Sequence, residues 1–279
     1  MSWRCIAIVM SLGACSTAPG DSTSPPSGPF HLDADPSTMV SIRGTTFSMG
    51  QPISTPGPYG QLWKENELVA HNVTLSTYLI DRDEVTVAAY AEFLSRAGGK
   101  VHHHPLQPIE RNGRSFTPRQ GTAAHPISYV SYYDAATYCA WAGKRLPTEA
   151  EWEFAARGPA GSTYPWGSDD PTCAHANFFT TNASCKSTPA DVGSHSPLGD
   201  TPTGLHDMAG NVAEWVADFY DRYSTGSVTD PTGPASGTYR VVRGGGVLDP
   251  SVALRGQARF PGRPTNRSIT VGFRCAVTP

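Results

Sequence analysis

Charge is scarce in this chain. Asp, Glu, Lys and Arg make up 16% of its 279 residues, and the formal net charge is −3. No long basic block occurs, which argues against electrostatically driven nucleic-acid binding. No tandem repeat is visible, so a solenoid or propeller is set aside. No cysteine pair has the C-x-x-C spacing of a zinc site. The apolar run Cys5 to Leu12 falls far short of the ~20 residues a membrane-spanning helix needs. What is plentiful is Gly (28) and Pro (25). That balance suits a loop-rich globular fold with short elements better than a helical bundle.

The N-terminus reads as a targeting segment. Arg4 supplies its positive charge, and the apolar run ends in Leu12-Gly13-Ala14-Cys15. That ending resembles the lipobox of bacterial lipoproteins. It implies a signal peptide over 1–14 and a lipidated Cys15, an anchor that works by burying acyl methylenes. Ser16 to Pro29 is rich in Ser, Thr, Pro and Gly, so 15–36 is expected to be a disordered tether that cannot build a core. Ser16 in place of Asp resembles the outer-membrane sorting pattern. The expected location is therefore the cell envelope, on the outer membrane facing the periplasm or at the surface of a Gram-negative bacterium. Export makes disulfides plausible. Setting Cys5 and Cys15 aside, Cys139, Cys173, Cys185 and Cys275 remain, an even count with three possible pairings.

From about Ser37 onward no second linker is visible, so 37–279 reads as one domain. Ser41 to Gly50 reads as a strand pair with a Gly turn, and His71 to Thr86 as a strand leading to a helix start. Thr86 is a candidate N-cap for a helix to about Ala97. Lys100 to Ala124 reads as loop. Ser131 with Asp134 opens a second helix, whose Ala135, Tyr138, Cys139 and Ala142 share one face, with Gly143 as the residue after its end. Thr148 and Glu151 have capping-box spacing for a third. RVVRGGG and VGFRCAV read as strands.

Several blocks occur together and in order. They include Phe47-Ser48-Met49-Gly50, Ile80-Asp81 with Glu84-Val85-Thr86, and His125-Pro126-Ile127. Gly143 to Gly158 (GKRLPTEAEWEFAARG), Tyr164-Pro165-Trp166-Gly167 and Ala176-Asn177 follow. Gly210-Asn211-Val212 with Glu214-Trp215, Arg243-Gly244-Gly245 and Gly272-Phe273-Arg274-Cys275 complete the set. This order resembles the formylglycine-generating enzyme (sulfatase-modifying factor) domain over nearly all of 37–279. The resemblance implies an α+β fold, a single mixed domain related to C-type lectin-like folds with much irregular loop. It also implies an oxidoreductase activity, in which two thiolates hold copper(I) and a cysteine of a sulfatase C-x-P-x-R motif becomes formylglycine.

The family's reactive window, RGGS-x-x-C-x-x-x-x-C, falls on Arg243 to Leu254. Its serine position is Gly246, and its two cysteine positions are Asp249 and Leu254. Neither side chain can hold copper(I) or form a mixed disulfide, so copper is not expected and no catalytic residue is assigned. The resemblance further implies a Cys139–Cys275 disulfide, leaving Cys173 and Cys185 as a local bridge. It implies a structural Ca²⁺ held by carboxylates of Asp207 and Glu214 and carbonyls of Gly210 and Val212, hard oxygen donors on a Gly-containing loop. A second, weaker calcium set begins at Asn177 and Phe178.

His102-His103-His104 invites a metal reading, but consecutive residues on an extended chain alternate faces and do not converge. The H-x-x-x-H-x-E pattern of iron-dependent relatives does not occur. Asp249 takes the reactive cysteine's place, with His206, Arg255, Arg259 and Arg274 as candidate neighbours, for use as a general base, a ligand contact or an ion pair. Two expectations stand together. One is a lipid-anchored binding or accessory module for a peptide or protein, touching the membrane only through its anchor. The alternative is an oxidoreductase of different chemistry on the same scaffold, a periplasmic non-haem-iron or peptide-modifying family member, the one case that admits iron.

Overall fold

The computed structural model describes residues 38–51, 67–97 and 99–279. The 1–14 signal peptide, Cys15 and the 15–36 tether lie outside the described residues. Strands β1 (Met39–Ile42) and β2 (Thr46–Met49) form where the sequence places a strand pair, but they do not pair with each other. The stretch read as one strand before Thr86 holds two, β3 (His71–Thr74) and β4 (Tyr78–Asp81), and each takes one of the earlier strands antiparallel. Gly44 explains the arrangement. A Cβ there would lie 2.4 Å from the Leu75 carbonyl oxygen, so only glycine lets the two kinked ribbons run side by side.

The three helices match their local signals. In α1 (Val87–Arg96) the Thr86 hydroxyl caps Ala89 N–H. Both capping boxes close, Ser131 with Asp134 on α2 (Tyr132–Trp141) and Thr148 with Glu151 on α3 (Glu149–Arg157). Gly143 follows α2 at φ +70°, the left-handed turn that stops a helix. Lys100 to Ala124 is not all loop: β5 (Ile109–Asn112) and β6 (Ser115–Pro118) make a hairpin around Gly113.

The remaining strands are β7 (Ala213–Phe219), β8 (Val228–Thr229), β9 (Arg240–Arg243), β10 (Arg259–Gly262), β11 (Val271–Gly272) and β12 (Ala276–Val277). The expected single closing strand is thus split at Phe273-Arg274-Cys275. The sheets run β1-β4-β12, β10-β9-β7-β11 and β2-β3-β8. One apolar cluster packs α1 and α2 against Trp215 and Phe273, and another packs α3 against Phe47, Tyr78 and Ile80. Short strands, few helices and long connections among the described residues give the mixed α+β single domain that the family resemblance implies, and the loop-rich character that the Gly and Pro content implies.

Candidate functional site

The window after β9 turns through Gly244 and Gly245, at φ +88° and +68°. A Cβ at Gly246 would meet the Thr270 carbonyl oxygen at 2.6 Å, so the backbone here has closed over the space a serine side chain would need. Asp249 folds back on this turn, its Oδ2 accepting the Gly246 N–H at 2.8 Å. Burial raises the Asp249 carboxyl above the usual range, and the Gly246 N–H only partly offsets it. Leu254 ends a 3-10 turn (Ser251–Leu254) and is fully buried among Tyr164, Ala176, Phe178 and Ala209. The two positions that carry thiols in the family pattern thus hold a turn-capping carboxylate and a core side chain.

The expected neighbours of Asp249 have other partners. Arg255 pairs with Glu67 at 2.7 Å, Arg259 with Glu149 at 2.6 Å, Arg274 with Glu214 at 2.8 Å, and His206 Nδ1 with Asp83 at 2.7 Å. The reading of an Asp among arginines is therefore corrected. Each guanidinium is drawn to a more deeply buried carboxylate.

Beneath the window lies an ionic core that sequence reasoning missed. Arg243 is fully buried, 2.5 Å from Glu153, and donates to the carbonyls of Gly256, Gln257 and Ala258. Burial opposes ionisation of Glu153, but Arg243 and Arg157 outweigh it and hold the carboxyl below its usual range. The sequence signal was the i, i+4 series of charges Glu149, Glu153 and Arg157 along α3.

The calcium candidates lie on a tightly wound loop, with Asp207, Gly210 and Asn211 all at positive φ. Asp207 accepts the Gly193 N–H at 2.6 Å, with His195 at 3.5 Å. Both Glu214 oxygens face Arg274, and Trp152 donates to one of them at 2.8 Å. Glu84 is the missed third carboxylate, receiving Asn211 Nδ2 and Val212 N–H. Its carboxyl is raised well above the usual range by burial, then by Asp207 and Glu214. The donor set has hard-cation chemistry, with three buried carboxylates against the one guanidinium of Arg274. In their present aim, Asp207 and Glu214 spend their oxygens on protein donors. Among the described residues no three His, Cys, Asp or Glu side chains converge on a metal position. In the weaker set, Asn177 Oδ1 and the Phe178 carbonyl accept the N–H groups of Lys186 and Cys185.

Both disulfides form as expected, Cys139–Cys275 and Cys173–Cys185. The three histidines diverge: His102 binds Asp134, while His103 packs on Phe116 and His104 on Tyr129.

Residues 29–279 match the model of the sulfatase-modifying factor enzyme 1-like domain. The chain is 38% identical over 250 residues to a Chlamydia pneumoniae protein named serine/threonine-protein kinase pkn1, covering 85% of this chain and 37% of that one. It therefore spans only about 37% of the length of such relatives. It is 34% identical over 294 residues to the formylglycine-generating enzyme of Thermomonospora curvata, covering 86% of this chain and 93% of that one. The solved structure of PvdO from Pseudomonas aeruginosa superposes with a TM-score of 0.69 at 27% identity, over 86% of this chain and 94% of that one.

Proposed function

The chain belongs to the sulfatase-modifying factor family, and from that premise we propose that it is a lipid-anchored binding or accessory module without formylglycine-generating activity. The observation that carries this is the Asp249–Leu254 pair, one side chain capping Gly246 and the other buried in the core. All four described cysteines are spent in disulfides, so no described thiol remains to hold copper(I) or exchange with a substrate cysteine. The ligand proposed is a peptide or protein, with Cys15 as the membrane attachment.

The test is to incubate the purified protein with a C-x-P-x-R peptide, copper(I), oxygen and a thiol reductant. No aldehyde is expected by mass spectrometry, and conversion of the peptide sinks the reading. Attachment is tested by metabolic labelling with a fatty acid, expected in the native chain and absent in Cys15→Ser.

Asp249 favours a second reading, an oxidoreductase of different chemistry. A half-buried carboxyl with a raised pKa and, among the described residues, no arginine partner has the properties of a base. That reading requires stoichiometric iron or a turnover that Asp249→Asn abolishes.

A further inference from the structure

Where β7 ends, a cavity of about 630 Å³ opens between the start of α3, strand β8 and the 221–234 segment, as the described residues outline it. The size is that of a small-molecule site. Met49, Val228 and Pro231 give it apolar wall. Glu149, Asp218, Asp221 and Asp230 bring four carboxylates, against the guanidiniums of Arg222 and Arg259.

Three of the four carboxylates are accounted for. Glu149 is held at both oxygens by Arg259, at 2.7 and 2.6 Å. Asp230 accepts the Ser76 N–H and hydroxyl at 2.7 and 2.8 Å. Asp221 is exposed and accepts the Arg222 N–H.

Asp218 differs. It is only 5% exposed, and its Oδ2 accepts the Glu149 N–H at 2.8 Å. Among the described residues no donor reaches its Oδ1. Gly233 keeps that oxygen uncovered, since a Cβ there would stand 2.9 Å from it. A buried carboxylate with no counter-ion is costly to keep charged. The groups whose charge acts on it most are Glu149 and Glu151 from α3, Arg259 from β10 and the Tyr132 phenol from α2, and His71 from β3, Tyr223 and Asp230 line the same cavity. Burial first, then Glu149, pushes the Asp218 carboxyl up to about 7.

We propose that this cavity binds a small organic cation, an ammonium or guanidinium group on an apolar stem, with Asp218 as its counter-ion. The cation donates to Oδ1, and the stem lies along Met49 and Val228. A cation is selected over an anion because Arg259 is already spent on Glu149 and Arg222 is exposed, while among the described residues no donor reaches the Oδ1 of the buried Asp218. This site is separate from the Asp249 window and does not rest on the function proposed above.

The test is calorimetric titration of the full chain with two cations, benzylammonium and N-acetyl-lysine methylamide, against the neutral benzyl alcohol. The two cations distinguish a free amine from a peptide-borne one. At about pH 8 at least one cation is expected to bind about tenfold more tightly than the alcohol, a difference of about 1.4 kcal/mol. Asp218→Asn is expected to abolish that preference. In the native chain the preference is also expected to grow as pH rises through about 7 and Asp218 ionises, while alcohol binding stays flat. This second readout decides the matter if the variant does not fold. Equal binding of cation and alcohol, no saturable heat with either cation, or a preference independent of pH each overturns the proposal.

Discussion

Arg274 closes on Glu214 through Nε and Nη2, at 2.9 and 2.8 Å, and neither residue is more than 1% exposed. The same guanidinium donates to the carbonyls of Asp81, Arg82 and His206, so one buried cation ties β4 to the loop before β7. Removing the carboxylate leaves that cation uncompensated, which costs about 3–5 kcal/mol. Glu214→Ala is therefore expected to lower urea-unfolding stability by that amount. A loss below about 1 kcal/mol, the range of an exposed pair, would show that the pair is dispensable.

Calcium at the same loop remains our proposal. Glu84, Asp207 and Glu214 bring three carboxylates against one guanidinium, a surplus that a divalent ion neutralises. Binding requires Glu214 to share its oxygens between Arg274 and the ion. Millimolar calcium is expected to raise the melting temperature by several degrees, following the linkage of binding to stability. Chelator is expected to reverse the gain, and Asp207→Asn to abolish it. Identical melting curves with calcium and with chelator would remove calcium from this loop.

The window residues are predicted to differ sharply in stability. Leu254→Ala empties part of a buried apolar cluster and is expected to cost about 2–5 kcal/mol. Asp249→Asn keeps an acceptor for the Gly246 N–H and is expected to cost less than about 1 kcal/mol. Comparable losses in chemical denaturation would contradict a core role for Leu254.

The two disulfides close loops of very different size, with sequence separations of 136 and 12. Chain-entropy arguments assign the long closure about 5 kcal/mol and the short one about 3. Cys139→Ser/Cys275→Ser is thus expected to lower the unfolding midpoint more than Cys173→Ser/Cys185→Ser. The reverse order would mean that the Cys139–Cys275 bridge adds little to packing already present around Phe273.

What could be read before the fold was known was local, or came through family likeness. Thr86, Ser131 and Thr148 announce their helices because a cap needs only the next three residues. The β5–β6 hairpin stayed hidden because only Ile109 and Phe116 turn inward, too few for an alternation. Pairing of β1 with β4 was illegible because Gly44 meets residues 31 to 33 positions away. The site divides in the same way. Replacement of both cysteines is plain in the window, whereas the Arg243–Glu153 pair joins residues 90 apart, and no spacing rule reaches that far.

Asp218 makes a prediction whose sign runs opposite to that of a salt-bridged carboxylate. Its folded pKa is raised to about 7 from an ordinary value of 3.8, first by burial and then by Glu149. Between those values the folded chain keeps the proton that the unfolded chain has released. Stability therefore falls as pH rises across that window, by at most about 1.4 kcal/mol per pH unit for one proton. Above about 7 both states are ionised and the loss levels off. Asp218→Asn keeps an oxygen to accept the Glu149 N–H while removing the titration. Urea unfolding of both proteins at about pH 4.5, 6 and 8 isolates Asp218 and the carboxylates coupled to it, because the remaining carboxylates cancel in the difference. The variant is expected to gain on the native chain steadily up to about pH 7 and then hold its lead. A difference that stays constant with pH would place the ordinary Asp pKa back on this residue.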